Sequence, residues 1–238
     1  MIENFDKNMI NGSIEQAPSE IGTPSEDMIF APGPQERWDT CAIRTQQHIL
    51  SMFGIDIPEH DLMMDAIKHG EYEETSGGGT SIEDAGNLLE RNGINVNRYK
   101  NATIAHLISE LGQGHKILVG VDAFEATADS LRERIVQIQQ DRIAEIPNHA
   151  LLVTAVDPVT MDVNVVDPQD GALHQIPYNR FMDAWKDSHC FMVSTEQSPS
   201  EYIASHSSVS QAKKERDIMG SSGFWKEQVV PDPSTPLR

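Results

Sequence analysis

The chain has 238 residues, of which 18 are basic and 37 are acidic, so its net charge is −19. This excess of carboxylates repels phosphate groups, and it excludes nucleic acid and anionic membrane surfaces as expected partners. An apolar fraction of 38% is typical of a globular protein that carries some polar extra sequence. The sequence contains no apolar run of about 18 residues, the minimum for a membrane-spanning helix.

The two ends of the chain differ in composition from its middle. Residues 1–32 are acidic and interrupted by Pro and Gly, which predicts a disordered segment, so that residues 1–30 could be deleted without unfolding the protein. Residues 198–238 form a polar tail, and the ordered domain is expected over 33–197. The N-terminus lacks the basic and apolar regions of a secretory signal, which indicates a cytoplasmic protein and leaves export by a signal-independent route open.

The first half of the domain has the apolar spacing of amphipathic helices. Asp39 or Thr40 is expected to cap the first helix, and a Thr80–Glu83 or Ser81–Asp84 pair to cap the third. Helices are predicted over Cys41–Phe53, from Pro58 to His69, directly after Gly77–Gly79, and near Thr103–Leu111.

The second half is richer in Val and Leu, in short runs typical of strands. Helices followed by strands indicate an α+β fold, with a helical lobe packed on an antiparallel sheet. Strands are predicted over Ile117–Val121, Ala150–Val156, Val163–Val166 and Phe191–Ser194, with helices over Asp129–Ala144 and Tyr178–Asp187.

Cys41 and Cys190 are the only cysteines, and their separation predicts free thiols rather than a disulfide. Cys41 opens a predicted helix, where unsatisfied N–H groups and the helix dipole favour a thiolate. Taken alone, a cysteine at a helix start is more often a small buried side chain than a nucleophile. Cys190 lies in an apolar strand and is predicted to be buried and inert.

Three other residues favour a catalytic interpretation of Cys41. Gln35 lies six residues before it, so a folded-back loop can direct the Gln35 amide and the Cys41 N–H at one oxyanion. His149 begins one predicted strand, and Asp167 ends the next. If these strands form a hairpin, the two side chains meet at the same end, where the carboxylate can orient the imidazole.

The order Gln, Cys, His, Asp resembles that of the papain-like superfamily. Within it, the sequence is most similar to the double-glycine leader (bacteriocin-processing) peptidases, over roughly residues 33–196. The resemblance rests on Gln35–Ala42, Gly79–Ser81, His149–Asp157, Val166–Gly171 and Phe181–Trp185.

This resemblance implies a role for each of the four residues. Gln35 would supply the oxyanion hole, Cys41 would attack, His149 would transfer the proton and Asp167 would orient it. Papain itself has Trp directly after the nucleophile, whereas this chain has Ala42 there and Trp38 before it. Leader peptidases are usually fused to a membrane transporter, and without such a segment the resemblance does not extend to bacteriocin export.

Two further features concern ligands. Gly77, Gly78 and Gly79 could form a strip along which a substrate backbone lies, or they could be a flexible hinge before a helix. Trp38 could line the cleft or anchor the core.

Nine histidines are present, but none has the spacing of a metal site, so no metal or cofactor is expected.

The function predicted from these residues is hydrolysis of a peptide or isopeptide bond through a thioester. The partner is then a protein or peptide substrate, and the sequence does not indicate the oligomeric state. Two alternatives stay open: acyl transfer or glutamine deamidation at the same triad, and an inactive papain-like binding module.

Overall fold

The computed structural model describes residues 20–74, 78–127, 147–160 and 162–207. The chain divides into two compact units, Met1–Pro199 and Ser200–Arg238, and the described residues of the second, 200–207, are helical. No helix in the described ranges is long and apolar enough to cross a membrane.

The first unit alternates short helices and strands. Its described helices are α1 (Pro24–Ile29), α2 (Cys41–Met52), α3 (Glu59–His69), α4 (Asn87–Arg91), α5 (Ile104–Gly112), α6 (Ala123–Thr127) and α7 (Tyr178–Lys186). Its described strands are β1 (Ile21–Gly22), β2 (Val96–Tyr99), β3 (Ile117–Val121), β4 (His149–Asp157), β5 (Asp162–Asp167), β6 (Ala172–Pro177) and β7 (Met192–Thr195).

These strands form one antiparallel sheet in the order β2-β7-β3-β4-β5-β6, with β1 paired to the far end of β4. Successive side chains of a strand point to opposite faces. Leu151 and Val153 of β4 therefore pack with the core residues of α5 and α7, whereas Leu152 lies beside Thr45 of α2. The sheet is covered by helices on both faces, and the predicted α+β class is confirmed.

The larger core lies on the α5 and α7 face. Phe181 and Trp185 of α7 are fully buried, with ring centroids 5.4 Å apart, and each such side chain contributes roughly 1.5–3 kcal/mol by leaving water. The Trp185 indole N–H donates to the Phe191 carbonyl at 2.8 Å, so its polar atom is satisfied inside the core. Because α7 also packs on β5, this core fixes the hairpin end that carries Asp167.

Several predicted elements agree with the structure within a few residues. The segment Cys41–Phe53 forms α2, and the segment Tyr178–Asp187 forms α7. The strand Ile117–Val121 has the predicted bounds. The predicted helix Asp129–Ala144 lies outside the described residues.

The third predicted helix begins later than expected. Residues 82–86 form turns, and α4 starts only at Asn87. Gly86 has φ +95, a left-handed conformation that a right-handed helix cannot pass through. The expected Ser81–Asp84 pair is present, since the Asp84 N–H donates to Ser81 Oγ at 3.3 Å, but it closes a turn rather than a helix.

The sequence patterns did not predict strands β2 and β6. Both lie at an edge of the sheet, and their burial patterns include mostly exposed or half-exposed residues. An edge strand has one neighbour and needs little apolar sequence, so its alternation is weak.

The structure also corrects the N-terminal boundary. Residues 20–32, expected within a disordered segment, include β1 and α1. Gly22 pairs with Ala155 at φ +129, where a Cβ atom would lie 2.1 Å from the Thr154 carbonyl oxygen, so only glycine fits. Asp27 of α1 is 3% exposed and lies 2.6 Å from the Lys116 ammonium, which also donates to Thr23 Oγ1 at 2.9 Å. Composition alone misses this segment because a buried ion pair, not an apolar run, holds it.

Deleting residues 1–30 should therefore destabilise the protein, contrary to the expectation from composition. The deletion removes β1 and α1 together, so the pairing of β1 with β4 and the Asp27–Lys116 ion pair are both lost, and a hydrogen bond to a charged group alone contributes roughly 1.5–3 kcal/mol. The measurement is the free energy of unfolding in urea, with deletion of residues 1–19 as the matched control. Equal stability of the two truncated proteins would contradict the structural role of α1.

Candidate active site

Cys41 is the first residue of α2, and Thr40 is the N-cap position. No side chain caps the helix: the Thr40 hydroxyl donates to Glu59 Oε1 at 2.5 Å, and the Asp39 carboxylate accepts from Arg37 Nε at 3.3 Å. The expectation that Asp39 or Thr40 would cap by its side chain is wrong for this reason. The first-turn N–H groups of α2 are thus left for another acceptor, which favours negative charge at the Cys41 sulfur.

His149 and Asp167 meet at one end of the β4–β5 hairpin, as the sequence predicted. His149 is the first residue of β4 and Asp167 the last of β5, and antiparallel pairing brings these ends together. His149 Nε2 and Asp167 Oδ1 are 2.7 Å apart. The Gln169 N–H donates to the same oxygen at 2.8 Å, which fixes the carboxylate. Because Asp167 engages Nε2, Nδ1 is the ring nitrogen left for Cys41.

The electrostatics of the site favour a charged imidazole. Burial lowers the pKa of His149, but hydrogen bonds to Asp167 and to the Cys41 sulfur, with their negative charge, raise it to about 10. Burial also acts on Asp167, in the opposite sense, yet the imidazole and the Gln169 N–H hold the pKa of this carboxyl below its usual value. Near neutral pH the histidine is therefore an imidazolium between a sulfur and a carboxylate.

The loop that carries Gln35 runs beside the same hairpin end. The Gln35 N–H donates at 2.7 Å to the carbonyl of Pro168, the residue after Asp167. Its side-chain oxygen is buried and has no hydrogen-bond partner among the described residues. Buried amides are rarely left unpaired in folded proteins, so this side chain is a candidate for contact with a ligand.

A cleft of about 340 Å³ opens at Cys41 and His149. Gly78, Gly79 and Trp38 line it, whereas Gln35 does not, and Gly77 lies outside the described residues. The Trp38 side chain is 71% exposed, so it is no core anchor. The deeper wall is apolar and is formed by Ile82, Ala85, Leu118, Ala150 and Phe191.

Gly79 is held against the cleft by backbone contacts. It exchanges two hydrogen bonds with Glu73, of 3.0 and 3.1 Å, and has φ +124. A Cβ atom at this position would lie 3.2 Å from the Asp39 carbonyl oxygen. Glycine is required here by conformation and space, so the strip is a fixed wall at Gly79 rather than a hinge.

The second cysteine lies apart from this cleft. Cys190 is half-buried against the core on the α5 and α7 face, and burial raises the pKa of its thiol. The predicted burial in a strand is therefore only partly met, since Cys190 precedes β7 with φ +48, and its inertness stays a prediction. Among the described residues, no group of three or more His, Cys, Asp or Glu side chains could hold a metal ion.

Sequence reasoning missed one charged pair beneath the site. Arg44 of α2 and Glu59 of α3 are both buried, with 3.1 Å between Arg44 Nε and Glu59 Oε2. Charged residues are usually exposed, and the spacing of these two in the sequence does not indicate that they meet.

The comparisons with known proteins agree with this geometry at the level of the fold. The chain matches a C39-like peptidase from Bacillus anthracis with a TM-score of 0.51 and 14% identity, over 75% of this chain and 98% of that one. The chain has the α+β papain-like fold of C39-like peptidases, so the resemblance inferred from its motifs is confirmed for the fold.

Two other solved structures are more distant. One is a double-glycine-motif protease from an AMS/PCAT transporter in complex with the leader peptide, with a TM-score of 0.46 and 11% identity over 69% of this chain and 92% of that one. The other is the peptidase domain of Streptococcus ComA, with a TM-score of 0.47 and 14% identity over 69% of this chain and 96% of that one.

The sequence comparisons carry less information. No family model matches the chain. Uncharacterized proteins of Mycobacterium bovis and Mycobacterium tuberculosis are 30% identical over 131 residues, which is 50% of this chain and 54% of theirs. The chain thus spans about half the length of the curated relatives it matches.

We expect Cys41 to react with iodoacetamide at pH 6, where Cys190 does not. The pKa of His149 is about 10, so its imidazolium is present beside the Cys41 sulfur at pH 6 and is lost only as the pH rises towards 10. His149→Ala should slow alkylation of Cys41 at pH 6 at least about tenfold. Mass spectrometry of the two cysteine peptides measures this. Labelling of both cysteines only after denaturation would show that the sulfur is not activated.

Proposed function

We propose that this chain is a cysteine peptidase that hydrolyses a peptide or isopeptide bond through a thioester. The observation that carries the proposal is the position of His149, with Nε2 bound to Asp167 and Nδ1 left for the sulfur of Cys41. That arrangement corresponds to a catalytic triad, in which a carboxylate orients the imidazole that exchanges a proton with the nucleophile. It opens on a cleft large enough for an extended peptide segment.

The reaction begins with attack of the Cys41 thiolate on the substrate carbonyl carbon. The C=O π electrons move to oxygen and form a tetrahedral oxyanion. As the carbonyl re-forms, the C–N bond breaks and the His149 imidazolium gives its Nδ1 proton to the departing amine. The neutral imidazole then removes a proton from water, whose oxygen attacks the thioester and releases the acid and the Cys41 sulfur.

Two donors are proposed for the oxyanion, the Cys41 N–H and the Gln35 side-chain amide. The start of α2 supports the first, since its N–H groups are not capped by a side chain. The backbone N–H of Gln35 is anchored to the Pro168 carbonyl, next to Asp167, and this position of the loop supports the second. Asp167 is proposed to fix the angle of the His149 ring, because its carboxylate is held by the Gln169 N–H.

The substrate is proposed to be a protein or peptide that lies along Gly78 and Gly79. A wall without side chains lets a backbone approach closely, and the exposed face of Trp38 offers an apolar contact at the rim. Water and amines both resolve a thioester, so the mass of the product distinguishes hydrolysis from acyl transfer or deamidation.

Cys41→Ala should abolish turnover and leave the fold intact, because it removes one sulfur atom at a helix end. The measurement compares new N-termini in a proteome digested by the wild type and by the variant. Cys190→Ala is the matched control and should retain the wild-type rate per folded molecule. Turnover by Cys41→Ala within about tenfold of wild type would refute the nucleophile assignment.

The other two residues should show graded losses. Gln35→Ala removes one of two oxyanion donors and should lower kcat roughly 100- to 1,000-fold with KM little changed, because the charge it meets exists only in the transition state. Asp167→Asn should retain more activity than Asp167→Ala, since an amide oxygen can still accept from His149. Steady-state kinetics test both, and a normal kcat for Gln35→Ala would mean that another donor occupies the hole.

A further inference from the structure

We infer that Glu59 and Arg44 are positioning residues that hold the Gln35 loop, residues 34–36, in register with the start of α2. The inference rests on the proposed function, in which the Gln35 amide and the Cys41 N–H meet one oxyanion. These donors come from different segments of the chain. A hole of this kind works only when both donors keep their separation to within a fraction of an ångström.

Three consecutive residues of the loop are each held by a backbone contact. Arg44 Nη2 donates to the Pro34 carbonyl, and the Gln35 N–H donates to the Pro168 carbonyl at 2.7 Å. The Glu36 N–H lies 3.2 and 3.1 Å from the two Glu59 carboxylate oxygens. The backbone on both sides of Gln35 is therefore fixed, and with it the origin of the side chain.

The same carboxylate holds the nucleophile helix. Glu59 Oε1 accepts from the hydroxyl of Thr40, the N-cap of α2, at 2.5 Å, and Oε2 pairs with Arg44 Nε at 3.1 Å. The Glu59 carboxylate thus joins Glu36, the residue after Gln35, to Thr40, the residue before Cys41. Glu59 is 2% exposed, and neither it nor Arg44 lines the cleft, so neither is placed to contact a substrate directly.

Further hydrogen bonds connect Arg44 to the loop between α2 and α3. Arg44 Nη1 donates to Gln47 Oε1 at 2.5 Å, and Gln47 Nε2 donates to the Ile57 carbonyl at 2.8 Å. This chain of contacts ties α2 to the residues that lead into α3. A buried ion pair whose charged groups also hydrogen-bond to several neighbouring segments favours one arrangement of those segments, which fits a positioning role.

The test is a double-mutant cycle on kcat with Glu59→Gln and Gln35→Ala. Glu59→Gln alone should lower kcat about tenfold or more, with KM within about threefold of wild type. In the Gln35→Ala background the same change should lower kcat by less than about threefold, because the donor it positions is already absent. Alkylation of Cys41 should stay within about twofold of wild type, since the Cys41–His149 pair is untouched. Losses that multiply in the double variant would overturn the inference.

The experiment includes two further variants, a control for loss of a carboxylate and a substitute for Glu59→Gln. Asp61→Asn removes an exposed carboxylate from the same turn of α3 and should change none of these values. Thr40→Val removes the hydroxyl contacts to Glu59 and to the Arg37 carbonyl but keeps the buried charge, so it replaces Glu59→Gln if loss of that charge unfolds the protein. It should also lower kcat without changing alkylation.

Hydrogen exchange separates failure of this inference from failure of the proposed function. The Glu36 N–H should exchange faster in Glu59→Gln than in wild type, whether or not the protein turns over a substrate. If the wild type shows no Cys41-dependent turnover, the peptidase proposal fails, and with it the catalytic meaning of the network. Unchanged exchange at the N–H groups of Gln35 and Glu36 would refute the positioning role by itself.

Discussion

The 2.7 Å contact between His149 Nε2 and Asp167 Oδ1 is the constraint on which the rest of the site depends. It exists because β4 and β5 are antiparallel neighbours, so the start of one strand lies beside the end of the next. The contact holds one nitrogen of the ring and leaves the other for Cys41. Asp167 and the sulfur together outweigh the effect of burial on the imidazole, and the pKa of His149 rises to about 10.

His149 lies on the sheet and Cys41 on α2, so the two side chains meet only if the helix keeps a fixed position on the sheet. Apolar packing brings α2 onto β4, but such packing is not directional and tolerates small shifts. Buried polar contacts are directional, and they restrict such shifts of the helices and loops that they join. Glu59 ties the Gln35 loop to the N-cap of α2, and Asp27 ties α1 to Lys116 at the start of β3. Neither carboxylate lines the cleft.

Most of the site could be predicted from the sequence, because its chemistry depends on residue types at element ends. A helix start, a strand start and a strand end are visible as changes in apolar periodicity, and Ile117–Val121 was predicted to the residue. Features that depend on long-range contacts could not be predicted. The pairing of Ile21 with Val156, the left-handed Gly86 and the burial of Arg44 beside Glu59 are set by partners distant in the chain. Local patterns carry no information about such partners.

The most direct test of the account is the protonation state of His149, followed by ¹⁵N NMR as the pH is raised from 5 to 11. Both ring nitrogens of His149 should stay protonated through pH 8, and the imidazolium should lose a proton only near pH 10. In Cys41→Ala the transition should move to lower pH, since the charge of the sulfur is removed. Deprotonation of the wild-type ring near the ordinary value of 6.5, unchanged by Cys41→Ala, would show that sulfur, imidazole and carboxylate do not act as one unit.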